Sequence, residues 1–161
     1  MPDFSLNTTW LIPSPIEPVW FYLIRPETWP DWWRYVDSVE NISSGASKIP
    51  NNKRRIYWRT RLPYRLVIEL TVTRAIEHRY LAVKVQGDLV GSGHCRISGN
   101  AESTRLEFDW YVATCKPWMN RLTFLCRPIF EWNHAQVMKE GERGLVYLTT
   151  SLLSRDKSTK D

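Results

Sequence analysis

PIFEWNHAQVMKEGERGLVYLTTSLL, residues 128–153, reads as the later part of a long helix. At about 100° per residue, Phe130, His134, Val137, Gly141, Leu145, Leu148 and Leu152 fall on one stripe. Glu131, Lys139, Glu142 and Arg143 fall opposite, Trp132 points away, and Asn133 lies on the flank. An apolar stripe of that length must be covered, so it predicts a partner layer upstream. The helix is expected to begin near Pro117, with Pro128 kinking or dividing it. Gly141 and Gly144 face inward at about 1 kcal/mol each in helix propensity, which makes sense where the helix passes close to another surface or where space is reserved. The closing SRDKSTKD is polar and reads as a frayed tail, giving one domain over 1–153 and a tail over 154–161.

The partner layer is legible as alternation. Phe4, Leu6, Thr8, Trp10 and Ile12 share one parity, a half-buried strand that ends at Pro13. In SPIEPVWFYLI, Ser14 is placed to cap a helix, with Pro15 at its first position and Glu17 in its first turn, and Pro26 stops it. PETWPDWW follows as a second short helix or pair of turns, crowding Trp29, Trp32 and Trp33. Beyond Arg34 come strands at 54–62, 64–75, 79–87, 93–99 and 104–115, with a long polar loop, SSGASKIPNNK, as the candidate mobile segment. Their apolar parity gathers Trp58, Ile68, Val83, Cys95, Phe108 and Trp110, and the opposite parity is mostly charged. Such one-sided alternation marks an antiparallel sheet with one covered face and one wet face.

Composition narrows the class. With 43% hydrophobic and 24% charged residues, the chain is that of an ordinary globular domain. Its apolar runs are far shorter than the roughly 18–20 residues of a membrane span. The acidic, discontinuous N-terminus lacks the pattern of a secretion signal, which favours a cytoplasmic protein. Three cysteines without CxxC spacing read as reduced thiols. Nine tryptophans are heavy for this length, and indoles suit cavity walls.

In order, a strand, two short helices, an antiparallel sheet and a long final helix follow the helix-grip plan. The segments IPSPIEPVWFYL, PETWPDWW, GDLVGSG and CKPWMNRLTFLCRPIFEWNHAQVMKEGERGL resemble the SRPBCC or START-like superfamily, in its polyketide cyclase/dehydrase-type branch. The resemblance spans roughly residues 5–150. It implies an α+β helix-grip fold: a curved antiparallel sheet wrapped around the C-terminal helix, enclosing an elongated apolar cavity. Proteins of this kind include lipid carriers, hormone receptors, aromatic cyclases and cochaperones, so the resemblance leaves the function open. Cys95 stands where a bulky aromatic is expected after GSG, implying a locally wider pocket.

Asn133 and His134 are the leading candidates for chemistry. Three roles fit them: ordinary polar packing, with the imidazole on a backbone carbonyl or a Tyr hydroxyl; binding of a polar ligand head; or general-base catalysis of a cyclisation or dehydration. The candidate ligand-binding set is Trp58, Ile68, Val83, Cys95, Phe108, Trp110, Asn133, His134, Val137 and Gly141, although any packed core shows the same pattern. Asp88 reads as a turn residue, and Glu107 and Asp109 as solvated strand positions. His78, His94 and His134 share no metal-ligand spacing, and GDLVGSG lacks phosphate-loop intervals, so neither metal nor other cofactor is expected. Lys53, Arg55, Tyr57, Arg59 and Arg61 make a basic outer strand face, and the net charge is +5. That face is either a solvated sheet surface or a contact for an anionic partner. The favoured reading is non-enzymatic binding of a hydrophobic or amphipathic small molecule, lipid-like or aromatic. No nucleic-acid partner is expected, peripheral membrane contact is compatible with the charge, and nothing in the sequence sets an oligomeric state.

Overall fold

The protein is described from a computed structural model covering residues 4–43 and 52–159. Most of the polar loop named above as the candidate mobile segment therefore lies outside the described residues. Strands β1 (Phe4–Ile12), β2 (Val36–Asn41), β3 (Lys53–Arg59), β4 (Arg65–Ile76), β5 (Tyr80–Gly87), β6 (Leu89–Gly99) and β7 (Thr104–Thr114) form one sheet. Its order is β1-β7-β6-β5-β4-β3-β2. Every neighbouring pair is antiparallel. Consecutive strands from β2 to β7 pair with one another, and the two edges, β1 and β2, stay apart, so the sheet curves without closing. Register shifts at Val36/Ser38 and Val72/Arg74 supply bends. Strand β6 starts earlier than the sequence suggested, because Gly87, at φ 107°, turns the chain within GDLVGSG and leaves Leu89 free to resume pairing.

Between β1 and β2 lie helix α1 (Ile16–Leu23), a 3-10 turn (Pro26–Thr28) and helix α2 (Trp29–Trp32). Ser14 does not make the cap on α1 that its position suggested. Its N–H donates to the Ile12 carbonyl, its own carbonyl accepts from Thr104 Oγ1 at 2.9 Å, and the residue is fully buried at a corner between β1 and α1.

Helix α3 (Pro117–Ser158) crosses the concave face as one uninterrupted element. Of the two outcomes expected at Pro128, a kink or a division, the division does not occur. Pro128 and Phe124, whose carbonyl loses its helical partner to the proline, both sit on the water side, where solvent satisfies that carbonyl. The helix also runs on to Ser158, through most of the segment read as a frayed tail. Phe130, Val137, Gly141 and Leu145 are buried as the stripe predicts, and Met138 and Thr149 join them.

The glycines of α3 mark close passage rather than reserved space. A Cβ on Gly144 would stand 1.7 Å from the Trp32 carbonyl oxygen, and one on Gly141 would stand 2.5 Å from the Trp33 ring. The WPDWW segment therefore lies directly on the helix, and the Trp33 indole donates to the Val137 carbonyl at 2.8 Å. Around Trp33 gather Trp10 at 5.2 Å, Trp58 at 5.0 Å, Trp29 at 5.3 Å and Trp32 at 5.5 Å between ring centroids. Trp10 in turn meets Phe108 at 4.7 Å. This aromatic mass fills one end of the space between helix and sheet.

Candidate functional site

At the other end the space is not filled. A cavity of about 130 Å³ lies between α3 and the sheet. Its walls are Trp58, Leu66 and Ile68 from β3 and β4, Trp110 and Val112 from β7, and Phe4 and Leu6 from β1. Helix α3 contributes Met119, Phe130, Asn133, His134, Val137 and Met138. The period-two pattern aims alternate strand residues inward, and the cavity forms where those side chains meet only the helix and no tryptophan from WPDWW except Trp33.

Of the ten residues singled out from sequence, Trp58, Ile68, Trp110, Asn133, His134 and Val137 line this cavity. Val83, Cys95, Phe108 and Gly141 do not. Phe108 and Gly141 pack against Trp10, and Cys95 sits opposite Phe108 on β6, buried in the core. Cys95 therefore does not widen the cavity, and burial pushes its thiol pKa up, as for an inert core thiol. The indole of Trp110 lies across Gly93, where a Cβ would come within 2.4 Å of the ring, so the glycine of GSG makes room for a wall residue.

The polar part of the wall is small. Asn133, itself buried, donates through Nδ2 to the Tyr64 hydroxyl at 3.2 Å and accepts at Oδ1 from the Arg61 N–H at 3.3 Å. Its amide thus fastens α3 to the β3–β4 turn, which is ordinary structural work. Tyr64 has a raised pKa because burial outweighs its hydrogen bonds to Asn133 and Thr60, so it stays a neutral phenol. His134 differs. Among the described residues neither a carbonyl nor a Tyr hydroxyl engages its ring, and burial alone pushes its pKa down to about 4. At neutral pH it is an uncharged imidazole facing the cavity. The indole N–H groups of Trp58 and Trp110 are buried and likewise meet no acceptor among the described residues.

Sequence reasoning missed Tyr64, Leu66, Met119 and Phe4. Parity alone could have supplied the first two, since they continue the inward row of Ile68. Asp88 behaves as the turn residue expected: its carboxylate accepts from the Val67 N–H at 2.8 Å and pairs with Lys116 at 3.2 Å. Asp109 is not a solvated position. It is buried under Arg96, which it meets at 2.9 Å, and it also accepts from Asn7. The basic outer face is largely neutralised, with Lys53 and Arg55 on Glu69 at 2.6 and 2.8 Å and Arg59 on Asp37 at 3.2 Å. Among the described residues, no three His, Cys, Asp or Glu side chains converge to hold a metal ion.

A gripped final helix, a curved open sheet and a cavity between them define the START-like helix-grip fold, with the polyketide cyclase type among its structural neighbours. A START superfamily protein from Mycobacterium smegmatis superposes with a TM-score of 0.73 at 15% identity, covering 92% of this chain and 98% of its own. The Zhui aromatase/cyclase from Streptomyces sp. R1128 gives 0.72 at 14% identity, covering 91% and 93%. A protein of Thermus thermophilus gives 0.68 at 16%, covering 91% and 99%. At such identities the likeness concerns the fold. No family model and no curated protein matches the chain.

Proposed function

We propose that this protein binds a small, largely apolar molecule with one oxygen-bearing group in the cavity between α3 and the sheet. The observation that carries the reading is the cavity itself: an unfilled space of about 130 Å³ in a chain that otherwise packs seven of its nine tryptophans into the core. An apolar protein cavity of roughly 150 Å³ accepts benzene, so a guest of one ring or a short branched acyl group fits without rearrangement. Longer lipids or fused rings need the flexible Met119 and Met138 to move aside. Burial of the guest's apolar area, at about 25 cal/mol per Å² before ordering costs, supplies the driving force. The His134 ring and the indole N–H groups of Trp58 and Trp110, unengaged among the described residues, supply the selection, since a hydroxyl or carbonyl can satisfy them.

Two other readings carry less weight. A general base works best with a pKa near the working pH, and His134, at about 4, is a weak proton acceptor. Three cations of the basic outer face, Lys53, Arg55 and Arg59, are already paired with acids. Three unpaired thiols accord with a reducing, cytoplasmic setting.

The test is Val137→Phe, which places a ring in the cavity. Monocyclic phenols should raise the melting temperature of the wild type, and native mass spectrometry of fresh protein should show a retained small molecule. In the variant both effects should vanish while stability is kept. If the space is not real, the extra ring overpacks the core and costs about 1–3 kcal/mol, with no phenol response in either protein.

A further inference from the structure

The first four turns of α3 carry a feature that ligand binding does not use. Trp118, Leu122, Leu125, Ile129 and Trp132 recur at helical spacing along one line, and all are exposed. Beside them Phe124 is 92% and Leu125 75% exposed, two adjacent large apolar side chains held in water. Five such residues in one line make an exposed apolar stripe of the kind that marks an interaction surface, and Phe124 widens it from the far side of Arg121. Cations border it. Arg121 has no ion pair among the described residues, Arg61 stands over the Trp132 ring at 5.5 Å, and the one nearby acid on the helix, Glu131, is already held by Arg127 at 2.8 Å.

We propose that this face docks on an anionic lipid bilayer, lying in its interface with Phe124 and Leu125 as the inserting wedge. Two observations favour a bilayer over a second copy of the chain. Across a paired helix, the positions flanking the line would have to supply matching charges. On one flank they are Met119, Cys126 and Asn133, turned towards the protein's own sheet, and on the other Arg121 and Pro128, so a copy finds one cation and no acid. Phe124 also lies well off the line, outside a two-helix seam but within reach of a broad surface. Tryptophan and phenylalanine on the apolar side with arginine at the border is the composition of a helix lying in a membrane interface. Among the described residues no helix is long and apolar enough to cross a membrane. The patch also adjoins the cavity wall: the Trp118 ring meets Tyr64 at 5.4 Å and Phe130 at 6.3 Å, and both line the cavity.

Sedimentation with vesicles tests the proposal on the full chain. Wild type should bind phosphatidylcholine vesicles containing roughly one-third phosphatidylserine, bind pure phosphatidylcholine more weakly, and release with salt. Phe124→Ser/Leu125→Ser should lose at least about tenfold in affinity with an unchanged circular dichroism spectrum, since both side chains are in water. Arg121→Glu keeps the apolar wedge and should weaken binding to anionic vesicles about fivefold or more while leaving neutral ones unaffected. The proposal is overturned if wild type does not bind anionic vesicles, or if the double variant and Arg121→Glu bind like wild type. It is equally overturned if sedimentation equilibrium shows a dimer that the double variant abolishes, which would make a second copy the occupant.

Discussion

Acidification should destabilise this protein through one side chain, His134. Burial lowers its pKa from 6.5 to about 4, so the unfolded chain holds the imidazole proton more tightly than the folded one. Folding stability from this group is therefore complete above about pH 6.5, declines as the pH falls towards 4, and levels off below that. The full loss, at about 1.36 kcal/mol per pH unit, is about 3 kcal/mol, of which about 2 kcal/mol is already gone at pH 5. Urea unfolding at pH 7 and pH 5 measures it, with His134→Leu as the comparison. The variant differs from wild type in stability at pH 7, so the informative quantity is each protein's own change between the two pH values. Glu69, held below the usual carboxylate range by hydrogen bonds from Lys53 and then Arg55, contributes only at lower pH and equally in both proteins. Wild type should lose about 2 kcal/mol more than the variant. Equal losses would mean that the imidazole is solvated, and the account of a neutral histidine facing an apolar cavity would fall with it.

Two further substitutions probe the frame. Gly144→Ala puts a methyl group into the Trp32 backbone carbonyl and should cost about 3 kcal/mol or more in chemical denaturation, against the gain of about 1 kcal/mol expected for alanine in an unobstructed helix. Thr104→Val removes the buried hydroxyl that donates to the Ser14 carbonyl and should cost about 1–3 kcal/mol, read as a lowered urea midpoint with an unchanged slope.

The sheet, its covered face and the gripping helix were legible because each follows from a short-range period. Ile56, Ile68, Leu106 and Val112 announce their side of the sheet by parity alone, and Val137 and Leu145 by helical spacing. Pro128 does not divide the helix, because its cost depends on where the orphaned carbonyl points, which a linear pattern does not state. The position of the cavity was half legible for a related reason. Parity says that Trp58 and Phe108 both face inward, but not that Trp10 and Trp33 occupy the space beside Phe108 and leave the space beside Trp58 and Trp110 open. That depends on where three helical turns carry WPDWW, a matter of long-range packing. His134 was correctly placed on the inward stripe, yet its lack of a hydrogen-bond partner among the described residues is a property of neighbours distant in sequence.

The gathering of indoles around Trp33 has an optical consequence. Chromophores this close exchange excitation among themselves, so light absorbed by Trp10, Trp29, Trp32 or Trp58 does not stay where it lands. Two of the group, Trp33 and Trp58, border the cavity. A guest that quenches either one drains its neighbours as well, and the protein thereby carries its own amplified reporter of occupancy.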